Sequence, residues 1–254
     1  ATGGFSPRNV SIAAFDSAYI QWVITVFMLM SGINFVLHYR LLTLQFRPLI
    51  RNSELKAYFT IFAVSTFLVT LSIHGEVYTS VFESVRYGAF QVASLMTTTG
   101  YVTADYELWP HFARAMLFAM FFVGGSVGST GGGIKVMRSL TLAKQAFTEM
   151  KYLLYPRGVF RAHINGSPVN KMFVYTIIGF VFLYMAMLLI TTAVVATSGT
   201  DILSSFAASL ATVGNVGPGF GAVGPTQTYA AFPDYVKLWL SLAMVIGRLE
   251  IYTV

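Results

Sequence analysis

Thr97-Thr98-Thr99-Gly100-Tyr101-Val102-Thr103 stands between two apolar runs, and its reading decides the fold. A looser copy, Ala211-Thr212-Val213-Gly214-Asn215-Val216-Gly217, stands between the next two runs, and a third fragment, Ala1-Thr2-Gly3-Gly4-Phe5-Ser6, opens the chain. Lipid offers no partner to the N–H and C=O groups of such segments. Irregular backbone at membrane depth is therefore tolerated only where it is buried in protein or lines water. A row of backbone carbonyls and threonine oxygens facing a narrow pore replaces the hydration shell of a potassium ion. The three segments point to a cation pathway.

Composition sets the same class. Only 10% of the 254 residues are charged and 56% are hydrophobic, with a mean hydropathy of +0.67, the balance of a polytopic membrane protein. The absence of cysteine excludes disulfides, thiol chemistry and cysteine-based zinc sites. The net charge of +6 could suggest nucleic acid, but its distribution argues against that partner. Eleven of the 16 Lys/Arg fall in two inter-span segments: Arg40, Arg47, Arg51 and Lys56, then Lys135, Arg138, Lys144, Lys151, Arg157, Arg161 and Lys171. Seven of the ten acids, Asp16, Glu76, Glu83, Asp105, Glu107, Asp201 and Asp234, lie on the other side. The positive-inside rule puts the basic loops in the cytoplasm and the filter-like segments near the outer face. There the acids either raise the local cation concentration or are merely solvated loop residues.

Apolar runs long enough for a ~30 Å hydrocarbon core lie near 19–38, 57–74, 172–197 and 236–254, with a shorter one at about 112–123. Two short helical candidates, Ser84 to Met96 and Thr200 to Leu210, each end at a filter-like segment, and Gly199-Thr200-Asp201 supplies an N-cap signal for the second. The order span, short helix, filter, span thus occurs twice in full, and the chain opens on the second half of another copy. Gly3, Gly100 and Gly214 align as filter glycines, and Gly32, Gly124 and Gly247 as interruptions of the spans that follow. The ion-binding candidates are Ala1, Thr2 and Gly3; Thr98, Thr99, Gly100 and Tyr101; and Thr212, Val213, Gly214 and Asn215. Each short helix would aim its negative C-terminal end at the ion. In this alignment only Gly100-Tyr101 keeps an aromatic after the glycine, which predicts an asymmetric pore. The chain starts inside one filter-like segment and stops inside an apolar run, as an internal piece of a longer protein would.

The span that begins near His111 runs into Gly124-Gly125-Ser126-Val127-Gly128-Ser129-Thr130-Gly131-Gly132-Gly133-Ile134-Lys135. Six of the ten residues from 124 to 133 are glycine, each costing about 1 kcal/mol relative to alanine in a helix. A flexible loop below the filter, able to block the pore or retract, is the expectation. Its gating candidates are Gly124, Gly125, Ser126, Gly128, Ser129, Gly131, Gly132, Gly133 and Lys135, together with Arg248 of the last apolar run. A charge at that depth faces water or a partner, or snorkels to the interface. Three other readings compete for the glycine run. It lacks the G-K-[ST] ending of a phosphate loop. Gly124-Gly125-Ser126-Val127-Gly128 fits the G-x-S-x-G nucleophile elbow of a serine hydrolase, but follows a helix rather than a strand. Small residues also serve close helix packing.

Thr97 to Thr103, the glycine run ending in Ile134-Lys135, and Gly247-Arg248-Leu249-Glu250 together resemble the Trk/Ktr/HKT superfamily of potassium transporters. The resemblance implies an all-α polytopic membrane protein with repeated span–pore helix–filter–span units around a central pore. Residues 1–50 would be the second half of repeat two, 51–165 repeat three and 166–254 most of repeat four. Such a piece of a four-repeat protein could not close a four-sided filter alone. The resemblance further implies a non-enzymatic transporter of K+, often of Rb+, with Na+ coupling in some relatives. It implies a homodimer in the lipid of the bacterial inner membrane, regulated by a cytosolic ring of nucleotide-binding TrkA-type subunits. The glycine run would be the gating loop and Arg248 a pore-lining basic residue. A serine hydrolase centred on Ser126, a Na+-coupled symporter and a structural subunit of a separate channel are the alternatives.

Overall fold

The computed structural model describes Gly4, Ser6, Arg8 and residues 10–250. Ten α-helices follow one another among these residues: α1 Ala18–Ser31, α2 Phe35–Leu42, α3 Phe46–Arg51, α4 Ser53–Ile73, α5 Val81–Met96, α6 His111–Met120, α7 Val136–Leu154, α8 Lys171–Ala196, α9 Ile202–Val213 and α10 Asp234–Arg248. A two-residue hairpin, β1 His163–Ile164 with β2 Ser167–Pro168, precedes α8. Side-chain caps start several helices where the sequence places a short polar residue. The Asn52 Oδ1 accepts from the Leu55 N–H, and the Asp201 Oδ2 accepts from the Ser204 N–H. The hydrogen bonds from Ser204 also hold the exposed Asp201 carboxyl below its ordinary pKa.

Among the described residues, α4 and α8 are long and apolar enough to cross a membrane, and α1 with α2 counts as a third span if the bent pair is taken as one. The apolar run at 19–38 is therefore not one straight span. The chain turns by 104° between α1 and α2, next to Gly32. A Cβ there would run into the Tyr58 hydroxyl and come within 2.9 Å of the Thr97 side chain. The run at 236–254 gives α10, 15 residues long, and its last four residues lie outside the described ones.

The order long helix, short helix, irregular turn, helix occurs twice, as α4–α5–α6 and α8–α9–α10. The short helices are the interior of the molecule. Every residue from Gly88 to Met96 is buried, and so is nearly all of α9 from Ser204 onward. A helix buried on all sides must be apolar or small all round, and Ala89, Ala93, Ser94, Ala207, Ala208, Ser209 and Ala211 let neighbours approach closely. α5 packs against α4, α1 and α6, and α9 against α8 and α10. The ends of both short helices meet in one place.

Candidate ion pathway and its closing loop

Backbone hydrogen bonds define the two turns that follow the short helices. After α5, the Thr98 N–H donates to the Leu95 carbonyl, and the N–H groups of Thr99 and Gly100 both donate to that of Ser94. After α9, the Asn215 N–H donates to the Thr212 carbonyl, and those of Val216 and Gly217 both donate to that of Ala211. Dihedrals repeat as well: Thr98 and Asn215 have φ of 53° and 55°, and Gly100 and Gly217 of 77° and 104°. The register thus pairs Thr98-Thr99-Gly100 with Asn215-Val216-Gly217. This corrects the alignment of Gly100 with Gly214. Gly214 caps α9 in the right-handed helical region, and Thr212 and Val213 form the last turn of that helix.

Contacts between segments extend the pattern to the start of the chain. A Cβ built on Gly100 would run into the Val216 carbonyl oxygen, and one built on Gly4 would run into that of Thr99. The equivalent carbonyls Thr99 O and Val216 O thus each point at a left-handed glycine of the preceding segment, at φ of 61° for Gly4. Gly4, rather than Gly3, matches Gly100, so Phe5 and Tyr101 both follow a filter-type glycine. Ala1, Thr2 and Gly3 lie outside the described residues. The chain that leaves the first turn is held by its own helix. The Ser94 hydroxyl donates to Tyr101 O at 2.6 Å, and Gln91 Nε2 donates to Ala104 O at 3.2 Å. On the second turn the Tyr229 hydroxyl donates to Gly217 O at 2.8 Å.

Several of the acids read as lying on the outer side serve structure rather than solvent. Glu107 Oε1 accepts from the Gly221 N–H at 2.7 Å, and its Oε2 lies 3.6 Å from Arg114. Asp105 accepts from Glu107 N–H and from the Thr226 hydroxyl. The Tyr106 hydroxyl donates to Gly219 O at 2.8 Å. These bonds splint the segment that follows the first turn to the one that follows the second. Asp234 pairs with Lys237 at 3.4 Å.

The glycine run folds back directly beneath the two turns. Its ends zip together, Gly124 N–H to Ile134 O and Val136 N–H to Gly125 O. The Gly132 N–H donates to Thr98 Oγ1 at 2.7 Å, and a Cβ on Gly132 would strike the Gly214 carbonyl. Thr98 is a β-branched residue at positive φ, an uncommon and costly conformation, and its hydroxyl meets the loop there. The break between α1 and α2 frees helix-end carbonyls that the loop uses: Gly32 O accepts from Ser126 N–H, and Ser31 O from Thr130 N–H. Gly128 O in turn accepts from Phe35 N–H, and Glu54 Oε1 accepts from Val127 N–H at 2.7 Å. Lys135 is buried and its Nζ donates to Gly131 O. Arg248 Nη1 donates to Thr130 O at 2.8 Å. The segment is thus tied on several sides rather than loose, and it joins Ser126, Ser129, Thr130, Lys135 and Arg248 in one cluster. Glu250 does not pair with Arg248; its carboxylate engages Arg138, whose guanidinium lies 3.9 Å from the Phe180 ring.

Sequence reading misses Val216, Gly217 and Gly4 because it aligns on Gly-x pairs. The helix ends, Ser94 to Thr97 against Ala211 to Gly214, carry the correct register. It also misses Glu54, whose place in a helical first turn reads as an ordinary N-terminal acid.

A family model described as TrkH, cation transport protein, matches residues 1–254. The chain is 35% identical over 259 residues to the Trk system potassium uptake protein TrkH of Escherichia coli K12, covering 100% of this chain and 52% of that protein. It is 34% identical over 262 residues to TrkG of the same strain, again with 52% of the relative covered. The crystal structure of the potassium transporter TrkH from Vibrio parahaemolyticus matches 99% of this chain and 54% of that one, with a TM-score of 0.92 and 33% identity. The chain spans about half the length of these relatives. Match over its whole length, at these identities and with this fold, means that the chain belongs to the TrkH family of cation transport proteins.

Proposed function

We propose that the protein takes up potassium ions across the bacterial inner membrane through a filter of backbone carbonyls, closed on its inner side by residues 124–133. The observation that carries this reading is the paired placement of Val216 O against Gly100 and of Thr99 O against its counterpart Gly4. Equivalent carbonyls of successive segments then face a common axis, as dehydration of K+ requires. Both short helices point their C-terminal ends at that axis, which favours a cation. Filter residues in this register are Thr98, Thr99, Gly100 and Tyr101 in one segment and Asn215, Val216 and Gly217 in the next. Gly4 belongs to a third segment, and a fourth would stand beside Gly217, where a Cβ would meet open space. Repeat three is then 51–165 and repeat four 166–254. Relatives named for potassium uptake support the ion.

The hydrolase alternative finds no base. Ser126 Oγ is buried without a hydrogen-bond partner among the described residues. His38, His74 and His163 contact Met30 O, Ser84 Oγ and Arg161 O instead, and His111 opens α6. The resting loop obstructs the pathway, and Arg248 both tethers it and repels K+ below the filter. The homodimer and the TrkA-type regulatory ring implied by the family resemblance belong to this proposal. Reconstitution of the full-length protein in liposomes tests it. An inward K+ gradient should drive K+ and Rb+ uptake in preference to Na+, whereas equal K+ and Na+ fluxes would reject a selective filter. The same assay with and without external Na+ separates a channel-like path from a Na+-coupled one.

Orientation is part of the same reading. The Ser53 N–H donates to Asn165 Oδ1 at 2.7 Å, so the segments carrying Arg47 and Arg157 lie at one end of the molecule. Leu108, which is 80% exposed, follows the outer splint. Single cysteines at Arg51, Val159 and Leu108 of the full-length protein, cleared of other cysteines, should react with an impermeant thiol reagent from opposite faces. Cysteines 51 and 159 should label from the cytoplasm and 108 from outside. Labelling of all three from one face would contradict the orientation.

A further inference from the structure

Glu54 is a carboxylate that the ion pathway does not use, and it is only 3% exposed. It stands in the first turn of α4, behind the Asn52 cap, and its Oε1 accepts from the Val127 N–H at 2.7 Å. One side chain thus holds the descending limb of the glycine run to the first turn of α4.

We propose that Glu54 is a positioning residue for the closing loop, the counterpart on α4 of the Arg248 tether on α10. The inference rests on the gating role proposed for residues 124–133. The tethers fall on two sides. Glu54 and the Gly32 carbonyl hold residues 126 and 127 from one side, and Arg248 holds the Thr130 carbonyl from the other. Between them Gly132 reaches Thr98 at the filter. A loop that retracts sideways from the axis must break one set of bonds or the other. The Val127 N–H bond to Glu54 Oε1 is made at a carboxylate only 3% exposed, where a hydrogen bond is stronger than in water. Removing the carboxylate leaves the Val127 N–H without its partner on α4, which favours the displaced loop.

Three variants of the full-length protein in liposomes test this without the cytosolic partner. Glu54→Met keeps the volume and loses the acceptor. Glu54→Gln keeps an oxygen that can accept from Val127, and Glu54→Asp keeps the charge but falls one methylene short. Each is also combined with a single cysteine at Val127, which is 43% exposed, so that its rate of modification by a cytosolic thiol reagent reports loop displacement independently of flux. Glu54→Met should raise basal K+ flux and the modification rate about tenfold, with the K+ to Na+ ratio unchanged. Glu54→Gln should stay within about twofold of the parent in both. If Glu54→Met does not reach the membrane, Glu54→Asp should show the same rise to a smaller extent. Parental flux and parental labelling in Glu54→Met and Glu54→Asp would overturn the proposal. So would a Glu54→Gln variant as leaky as Glu54→Met, which would place the effect in the charge. Arg248→Ala run alongside separates the two readings. If it leaks and the Glu54 variants do not, only the Glu54 role falls; if neither leaks, the gating role itself falls.

Discussion

Gly100→Ser in the full-length protein lowers the permeability ratio of K+ over Na+ by about tenfold or more, a change of about 1.4 kcal/mol in relative barrier height. Two effects act together. Gly100 has a φ of 77°, where a residue with a Cβ is disfavoured by roughly 1–2 kcal/mol. The new Cβ would also run into the Val216 carbonyl oxygen and lie 2.9 Å from Pro218 Cδ. The serine can be accommodated only if Val216 O moves, and that carbonyl is one of the two proposed to face the ion. Gly166→Ser is the control. Gly166 has a φ of 83° but a Cβ there meets nothing within 4 Å, and it lies in the hairpin turn far along the chain. That variant should lose some stability and keep the parental ratio. Bi-ionic potentials of the two variants measure the difference, and an unchanged ratio in Gly100→Ser would remove Gly100 from the filter.

Arg248→Ala, or removal of residues 128–131, raises basal K+ flux by about tenfold in the absence of any cytosolic partner. The loop ends are zipped by two backbone bonds outside the deleted stretch, so the deletion shortens the tip without opening its base. Under the proposed gating role Arg248 acts twice. Its guanidinium holds the Thr130 carbonyl at 2.8 Å, and its positive charge would oppose a cation leaving the filter. Arg248→Lys separates these contributions, because it keeps the charge and loses the planar fork. Flux in Arg248→Lys should fall between the parent and Arg248→Ala. Parental flux in both Arg248→Ala and the deletion, with equal protein in the membrane, would return the glycines to a packing role.

What the residues disclosed, and what they hid, follows from the range of the interactions. The short buried helices were legible because Ser84 to Met96 and Thr200 to Leu210 carry mostly apolar and small residues, the second with a capping Asp201, all local signals. The glycine run announced itself through helix propensity alone. The register of the second turn was not legible. Thr212-Val213-Gly214 looks like Thr98-Thr99-Gly100 in sequence, yet α9 continues through Val213, and the Thr212 carbonyl accepts from the amide three residues on, at Asn215, while that of Ala211 accepts from those five and six residues on, at Val216 and Gly217. The turn at Gly32 depends on Tyr58 and Thr97, which are remote in sequence. Glu54 and Tyr229 act through backbone groups 73 and 12 residues away, and no periodicity marks such a bond. Asp105 and Glu107 read as mouth acids, but their oxygens are taken by Thr226 and Gly221 of the neighbouring segment.

Rb+ soaked into crystals of the full-length protein, located by its anomalous scattering, tests the filter most directly. Rb+ is large enough to replace K+ among carbonyls and scatters anomalously where K+ does so only weakly. A peak on the axis between Thr99 O and Val216 O, level with Gly4, Gly100 and Gly217, is the predicted result. A peak that instead sits level with Thr212 and Gly214, or away from both turns while the same preparation conducts Rb+, would contradict the assignment of the ion pathway.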